Sequence, residues 1–313
     1  MSENSYRCKT AVAFFVFNRP ELTRRVFTRI AESRPSRLLL IADGARADKA
    51  GEDQRCSEVR SIVSAVNWPC EVLSNFAENN MGCRGRLTSG LDWVFEQVEE
   101  AIILEDDVLP DPSFFRFCDE MLDRFREDRR VGMITGFNIV ADQTNAQDSY
   151  FFSHLTHIWG WATWRRAWTT YDANIADWPA FNAAGLMEEL FPRKDHRRYW
   201  TQVFDAMHAG TGPNTWDYQW FYTCLKNYFL AVTPGVNLIE NLGFGVDATH
   251  THHATDALRV PIRPLQFPLR HPVGMVPLRH LDLLDQDRSG ATAPGLPRRV
   301  INKLRRTLLS ARK

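Results

Sequence analysis

Glu105, Asp106 and Asp107 stand side by side at the end of an apolar run, AIIL at 101–104, inside the stretch AIILEDDVLPDPSFF. Three neighbouring carboxylates repel one another, and more strongly in a partly dry cleft than in water. A divalent cation is the simplest way to make the arrangement favourable. Hard Mg²⁺ or Mn²⁺ takes carboxylate oxygens, typically one or two of them together with the phosphates of a substrate. The run before the acids predicts a buried strand, and in open α/β sheets ligands bind where strands end at their carboxyl edge. The same triplet is also compatible with an acidic loop before a helix starting near Ser113, for which Asp111 and Ser113 are good caps.

Further candidates lie in the second half. WDYQW at 216–220 sets Asp217 among aromatic rings, a setting that excludes water and can shift a pKa. It equally suits a buried, hydrogen-bonded structural Asp. WGWATWRRAW at 159–168 reads mainly as core packing. Gly160 between two Trp residues would let the backbone approach a flat ligand such as a sugar, which makes Trp161 a candidate contact. After NLGFG at 241–245 comes THTHH, and three histidines within four residues make His250 or His252 a candidate metal or phosphate contact.

Elements that could position these residues follow from periodicity. Residues 11–17 (AVAFFVF) predict a buried strand. Asn18-Arg19-Pro20-Glu21 predicts a helix start with an Asn cap, and Leu22, Val26 and Ile30 would face the sheet. RLLLIA at 37–42 predicts a second strand ending in Asp43, and Cys56, Val59, Ile62, Val63 and Val66 mark the next helix. EVLSNF at 71–76 is a weaker third strand. A turn at Asn79–Gly82 and a helix with Leu87, Leu91, Val94 and Val98 then lead into the 101–104 strand. Alternation of this kind predicts a parallel sheet wound in βαβ units. Its carboxyl ends would carry Asn18 and Arg19, Asp43, Asn79 and Asn80, and the acidic triplet. Acids and amides suit a base and a ribose, and a metal suits a diphosphate. The loop after the first strand holds no G-x-G-x-x-G, and the chain has no G-x-x-x-x-G-K-[ST], which removes dinucleotide Rossmann and P-loop sites. Strands are also expected at 131–137 and 230–234. Prolines at 261, 264, 268, 272 and 277 predict an extended wrap.

The 313 residues suffice for a large core, and the formal net charge is zero, with 38 basic and 38 acidic residues, so no global field argues for nucleic acid. Hydrophobic residues at 44% and charged residues at 24% are those of a soluble globular chain. The six cysteines form no C-x-x-C pair, which favours reduced thiols and a cytoplasmic setting. The N-terminus lacks the layout of a signal peptide, and 11–17 is too short to span a bilayer.

Taken together, these pieces resemble a nucleotide-sugar glycosyltransferase of the GT-A fold, and more specifically the N-acetylglucosaminyltransferase I family. The resemblance runs from about Thr10 to about His253 and keeps family order through FNRPELTRRVF, IADG, IILEDDVLPDPSFFRF, FFSHLTHIWGWATW, WDYQW and NLGFGVDATH. It implies an α/β fold with a mostly parallel twisted sheet flanked by helices, and an inverting transfer from a UDP-sugar that depends on Mn²⁺ or Mg²⁺. By position, Asp107 resembles the metal ligand and His250 the C-terminal His. Glu105 and Asp106 would lie near ribose and sugar, Asp43 at the nucleoside, Arg19 beside the base, and Asn18 next to it. Asp217 resembles the catalytic base. WDYQW is one residue longer between its tryptophans than the family motif, and THTHH leaves His250 and His252 as alternatives.

The sequence therefore predicts a glycosyltransferase domain over 1–255, a Pro-rich wrap and linker over 256–296, and a basic helix over 297–313. The family's eukaryotic members carry a membrane-anchored stem that this sequence lacks, which implies a carbohydrate or lipid-linked bacterial glycan acceptor instead of a Golgi N-glycan. In 297–313, Val300, Leu304 and Leu308 recur every fourth residue among seven Lys and Arg residues. Such a segment fits an anionic membrane surface, a solvated tail or a helix docked on its own domain. Two rivals to transfer remain: a sugar nucleotidyltransferase, which would normally carry a basic Gly-rich loop after the first strand, and a non-catalytic carbohydrate-binding module.

Overall fold

The computed structural model describes residues 6–144, 147–243 and 258–291. The first half alternates strand and helix: β1 (Ala11–Val16), α1 (Pro20–Ser33), β2 (Arg37–Ala42), α2 (Glu52–Ser64), β3 (Glu71–Phe76), α3 (Gly82–Gln97) and β4 (Glu100–Glu105). A short β5 (Val108–Pro110), α4 (Ser113–Arg124), β6 (Val131–Thr135), β7 (Tyr150–Ser153) and β8 (Trp161–Trp164) follow. Next come α5 (Arg165–Trp168), α6 (Trp178–Ala183), α7 (Leu186–Leu190), α8 (Lys194–His208), α9 (Asp217–Lys226), β9 (Leu230–Pro234), β10 (Ile239–Asn241) and α10 (Arg279–Arg288).

Among the described residues eight strands form one sheet in the order β3-β2-β1-β4-β8-β6-β9-β7, while β10 pairs with β5 in a separate ribbon. β3, β2, β1 and β4 are parallel. β8 runs antiparallel between β4 and β6, β9 is parallel to β6, and β7 ends the sheet antiparallel to β9. The fold is thus α/β with helices on both sides of a mixed sheet whose parallel half comes first. From β1 the chain moves outward to β2 and β3, then returns to lay β4 on the other side of β1. That reversal makes the carboxyl ends of β1 and β4 a topological switch point, where such sheets open a ligand crevice.

Period-two alternation explains why the inner strands are apolar throughout. Val12, Phe14, Leu38, Leu40, Ile102 and Leu104 pack with Val26 and Ile30 of α1, Val59 of α2 and Phe114 and Phe117 of α4. Ala13, Phe15, Leu39, Ile41 and Ile103 pack on the opposite side with Leu91 and Val94 of α3 and a cluster of tryptophans. Full burial of each large side chain contributes about 1.5–3 kcal/mol, so both sides of these strands must be apolar. β3 is an edge strand with no buried residue, and Arg37 of β2 pairs with Glu71 at 2.7 Å. That explains its weak signal, since charge on an edge discourages further pairing. A third cluster, built from Trp178, Phe204, Phe221 and Tyr222, joins α6, α8 and α9.

Two expectations about α1 need correcting. Asn18 does not cap α1: Arg19 takes the cap position, and the Asn18 amide donates instead to Glu52 Oε1 at 2.7 Å. Thr23, Val26, Phe27 and Ile30 form the buried side of α1, whereas Leu22 stays partly exposed. The extended segment read over 256–296 is hydrogen-bonded along its course, for example Arg263 N to Asn237 O at 3.0 Å and Leu278 N to Phe152 O at 2.9 Å. It then gives way to α10, which the sequence hides because much of its inward side is polar.

α10 docks largely through carboxylates. Asp282 accepts from Ser153 Oγ at 2.6 Å, Asp285 lies 2.7 Å from His157 Nε2, and Asp287 lies 2.9 Å from His196 Nε2 and 2.7 Å from Arg193. Burial opposes protonation of His157, but Asp285 and, more weakly, Asp282 outweigh it, and the imidazole titrates above its ordinary value of 6.5. Burial also pushes the Asp282 carboxyl up to about 6, against the hydrogen bonds from Ser153 and His154. Both raised values have the same sign: the folded state binds these protons more tightly than the unfolded chain. The His157 contribution is complete below about pH 6.5 and fades as pH rises through its raised value. Asp285→Asn should therefore lower the melting temperature more at pH 6 than at pH 9. A gap between wild type and variant that stays constant across that range would show that the pair carries no proton linkage.

Candidate active site

β4 delivers Glu105 to the switch point, and Asp106 and Asp107 form the two-residue turn into β5. Although adjacent, the two aspartates have different surroundings. Asp106 is 2% exposed, accepts from Phe17 N at 3.2 Å and pairs with Arg19 Nη2. It ties the end of β1 to the end of β4; Asp106, expected near ribose and sugar, is here buried against Arg19. Asp107 stays partly exposed and pairs with Arg19 Nη1 at 2.9 Å. Arg19, expected beside the base, thus bridges both aspartates across the switch point. Burial works against its charge, but the two carboxylates outweigh that and raise its pKa. The triplet does not cap α4, whose cap position is Pro112; ahead of it Asp111 accepts from Ser113 N at 2.9 Å and Ser113 Oγ at 2.6 Å.

The chain beyond β10 closes on Asp107. Leu242 N donates to Asp107 O at 2.7 Å, and any side chain at 243 would collide with the Asp107 carboxylate, which is why a glycine stands there. His250 and His252 follow in 244–257, outside the described residues.

Asp217 opens α9. Thr215 Oγ1 donates to its Oδ1. Trp216, before it, is buried and stacks on Trp161 with centroids 5.6 Å apart, and Trp220 packs on the same ring at 5.6 Å. These rings fasten the first turn of α9 beneath the sheet and so position Asp217. The Glu105 carboxyl is pushed well above the carboxylate range, by burial first and then by Asp107, Asp106 and Asp217, with Arg19 opposing. Asp217 and the acidic triplet therefore share one field. Cys83, at the start of α3, lies in it too: its thiol is pushed up to about 12 by burial and by Glu105, Asp217, Asp107 and Asp43.

Trp161 is corrected as a sugar contact. It is 1% exposed and belongs to the core beside Trp216, Trp168 and Trp220. Gly160, with φ +59°, makes room for Ile239 and Val108 against the chain rather than for a ligand. Asp43 also turns inward. It is 6% exposed, and its carboxylate accepts from Gly44 N at 2.8 Å, Met81 N at 2.9 Å, Asn80 Nδ2 at 3.0 Å and Gly82 N at 3.1 Å. These four donors use both oxygens, so Asp43 holds the loop before α3 in place instead of meeting a nucleoside. Burial nonetheless raises its pKa, the backbone donors opposing. Asp43→Ala should cost about 2–4 kcal/mol, because several donors lose their acceptor. An unchanged melting temperature with a large loss of UDP affinity would restore the direct-contact role.

Several residues here escaped the sequence reading. Glu52, fully buried, binds Arg46 N at 2.7 Å as well as Asn18, and its pKa is held down to about 2 by the hydrogen-bonded Arg46 side chain despite burial. Its only signal was an acid in the first turn of a predicted helix. Cys83 and Thr215 carried none.

The donor set suits a hard cation. Glu105, Asp106 and Asp107 share one guanidinium, and Glu105 has no hydrogen-bond donor on its carboxylate among the described residues, so positive charge is lacking at this point. Among the described residues no group of three or more His, Cys, Asp and Glu is arranged to hold a metal. A cation at Asp107 would thus complete its shell with ligands such as substrate phosphates, as Mg²⁺-type sites commonly do. A cavity of about 290 Å³ lies elsewhere, between α1, α4 and Phe267, where Arg29 and Arg116 are already paired with Glu32 and Glu120.

No protein-family model matches the chain, and no curated protein matches it. Among solved structures it is similar to a UDP-glucose pyrophosphorylase complexed with UDP-glucose, at TM-score 0.27 and 10% identity over 46% of this chain and 62% of that one, less than two thirds of its length. It is also similar to mouse xyloside xylosyltransferase 1, at TM-score 0.33 and 11% identity over 69% and 81% of the two chains. A third is mannose-1-phosphate geranyltransferase from Thermus thermophilus, at TM-score 0.34 and 12% identity over 74% and 75%. Likenesses this distant carry no argument about activity.

Proposed function

We propose that the chain is a GT-A-type glycosyltransferase that moves a sugar, GlcNAc-like by the sequence resemblance, from a UDP-sugar to an acceptor hydroxyl with inversion. The observation that carries this function is the concentration of acid at the switch point: Glu105 and Asp107 at the end of β4, with the charge of Asp217 acting on Glu105. A donor diphosphate held by a cation at the cluster, with Asp217 left for the acceptor hydroxyl, is the division of labour these residue types suit.

Asp107, with His250 as a further ligand by resemblance, would hold Mn²⁺ or Mg²⁺. Such an ion neutralises the charge that develops on a diphosphate leaving group. Arg19 orients Asp107 and keeps part of the acidic charge balanced. Asp217, held by Thr215 and by the tryptophans beneath it, takes the proton of the acceptor hydroxyl as that oxygen attacks the anomeric carbon. One displacement of this kind inverts the configuration.

A thermal-shift series tests the donor side, because a ligand that binds the folded state raises the melting temperature. UDP with Mn²⁺ should shift it more than UDP in chelator, and UDP-GlcNAc should be hydrolysed slowly in water. Absence of any shift with nucleoside diphosphates would overturn the assignment, and turnover of UTP with a sugar 1-phosphate would replace it with nucleotidyl transfer. No helix among the described residues is long and apolar enough to cross a membrane. Residues 297–313 lie outside them, and membrane docking through that basic stretch in the assembly of bacterial surface glycans is part of the proposal. Truncation after Pro297 should abolish sedimentation with anionic liposomes while leaving the UDP shift intact; equal sedimentation of both proteins would remove the membrane from the function.

A further inference from the structure

We propose that Arg19 is an exchangeable counter-ion: a divalent cation arriving with the nucleotide displaces its Nη1 from Asp107. That arm then turns to the donor diphosphate, while Nη2 stays on Asp106. This rests on the glycosyltransferase function above and adds a moving part to its donor side.

The two arms of the guanidinium hold unlike partners. Nη2 meets Asp106, whose side chain is 3% exposed and whose other oxygen accepts from Phe17 N at 3.2 Å. Withdrawing that arm would strand a buried carboxylate, which is strongly unfavourable. Nη1 meets Asp107 Oδ2 at 2.9 Å, and there the side chains keep 23% (Arg19) and 17% (Asp107) of their surface open. An ion can therefore enter at Asp107 without leaving a buried charge unpaired. The backbones on either side are fixed. Thr23 N and Thr23 Oγ1 donate to Arg19 O at 2.9 and 2.8 Å, and Leu242 N donates to Asp107 O at 2.7 Å. Only the Arg19 side chain has to turn.

Charge and reach favour the exchange. A hard cation sits about 2.1 Å from the oxygens it binds. A guanidinium kept on the same carboxylate would face it as a like charge at close range. Phosphate oxygens in the shell of that cation would lie close to the position that Nη1 leaves. The guanidinium fork can hold a carboxylate on one arm and a phosphate on the other, because its donors are fixed in one plane. Arg19 thus balances the acids while the site waits and supplies a phosphate ligand once the nucleotide comes.

Calorimetry on the full chain tests this with Mn²⁺ alone, with UDP and Mn²⁺, and with uridine. Two variants are compared with wild type. Arg19→Lys leaves one ammonium for buried Asp106 and no donor fork to reach Asp107 as well. The double variant Arg19→Met with Asp106→Asn removes the guanidinium together with the buried charge that it balances. Both should bind Mn²⁺ alone roughly tenfold more tightly than wild type, because no arm has to be displaced. Both should also lose roughly tenfold of the tightening that UDP confers on Mn²⁺ binding, with uridine affinity unchanged. Wild-type Mn²⁺ affinity in both variants would overturn the exchange, and an undiminished effect of UDP would overturn the diphosphate contact. An equal loss with uridine would overturn it in favour of a contact with the base. Failure of wild type to bind UDP with Mn²⁺ would instead remove the donor assignment on which the exchange rests.

Discussion

Asp217→Asn should lower sugar transfer by about 10²–10⁴-fold while leaving UDP affinity nearly unchanged, since general-base help is worth that much and the proposed donor site is built on Asp107. The substitution suits its purpose because Asn keeps an oxygen that can accept from Thr215 Oγ1. Trp216 and Trp220, which hold the first turn of α9 in the core, are untouched. The fold should therefore survive, and the loss should appear in the turnover number. Transfer assayed alongside UDP calorimetry decides the matter. If UDP affinity collapses together with turnover, Asp217 belongs to donor binding, and another carboxylate must serve as the base.

Asp107→Asn should cost about three orders of magnitude in metal-dependent transfer, corresponding to the several kcal/mol that a cation contributes at a developing diphosphate charge. Two opposing effects govern stability. The variant relieves the repulsion that pushes Glu105 upward, but it weakens the 2.9 Å pair with Arg19. Arg19 retains Asp106, so the guanidinium keeps a carboxylate partner when the pair with residue 107 is weakened. The melting temperature should accordingly hold or rise slightly. Full activity of the variant, or of wild type in chelator, would remove the metal from the mechanism. A fall of more than about 5 °C would mean that Asp107 serves mainly to anchor Arg19.

The parallel half of the sheet was legible from the chain alone. β2 and β3 fall on RLLLIA and EVLSNF as read, because strands covered on both sides must be apolar and their helices must repeat every three or four residues. The position of the acids at a strand end was legible for the same reason. Other elements were not. β5 and β10 are too short to show a period, and α10 turns Asp282, Asp285 and Gln286 inward, so its buried side does not look buried. Within the site, the sequence named chemical types but not directions. Asp106 and Asp107 are neighbours, yet only the turn after β4 makes one a buried tie and the other a partly exposed partner of Arg19. Asp43 is claimed by donors at Asn80, Met81 and Gly82 that arrive from the next crossover, and Trp161 is enclosed by rings from α5 and α9. The sharing of one field by Glu105, Cys83 and Asp217 was decided only by tertiary packing, because electrostatic coupling depends on distance through space and these residues lie far apart along the chain.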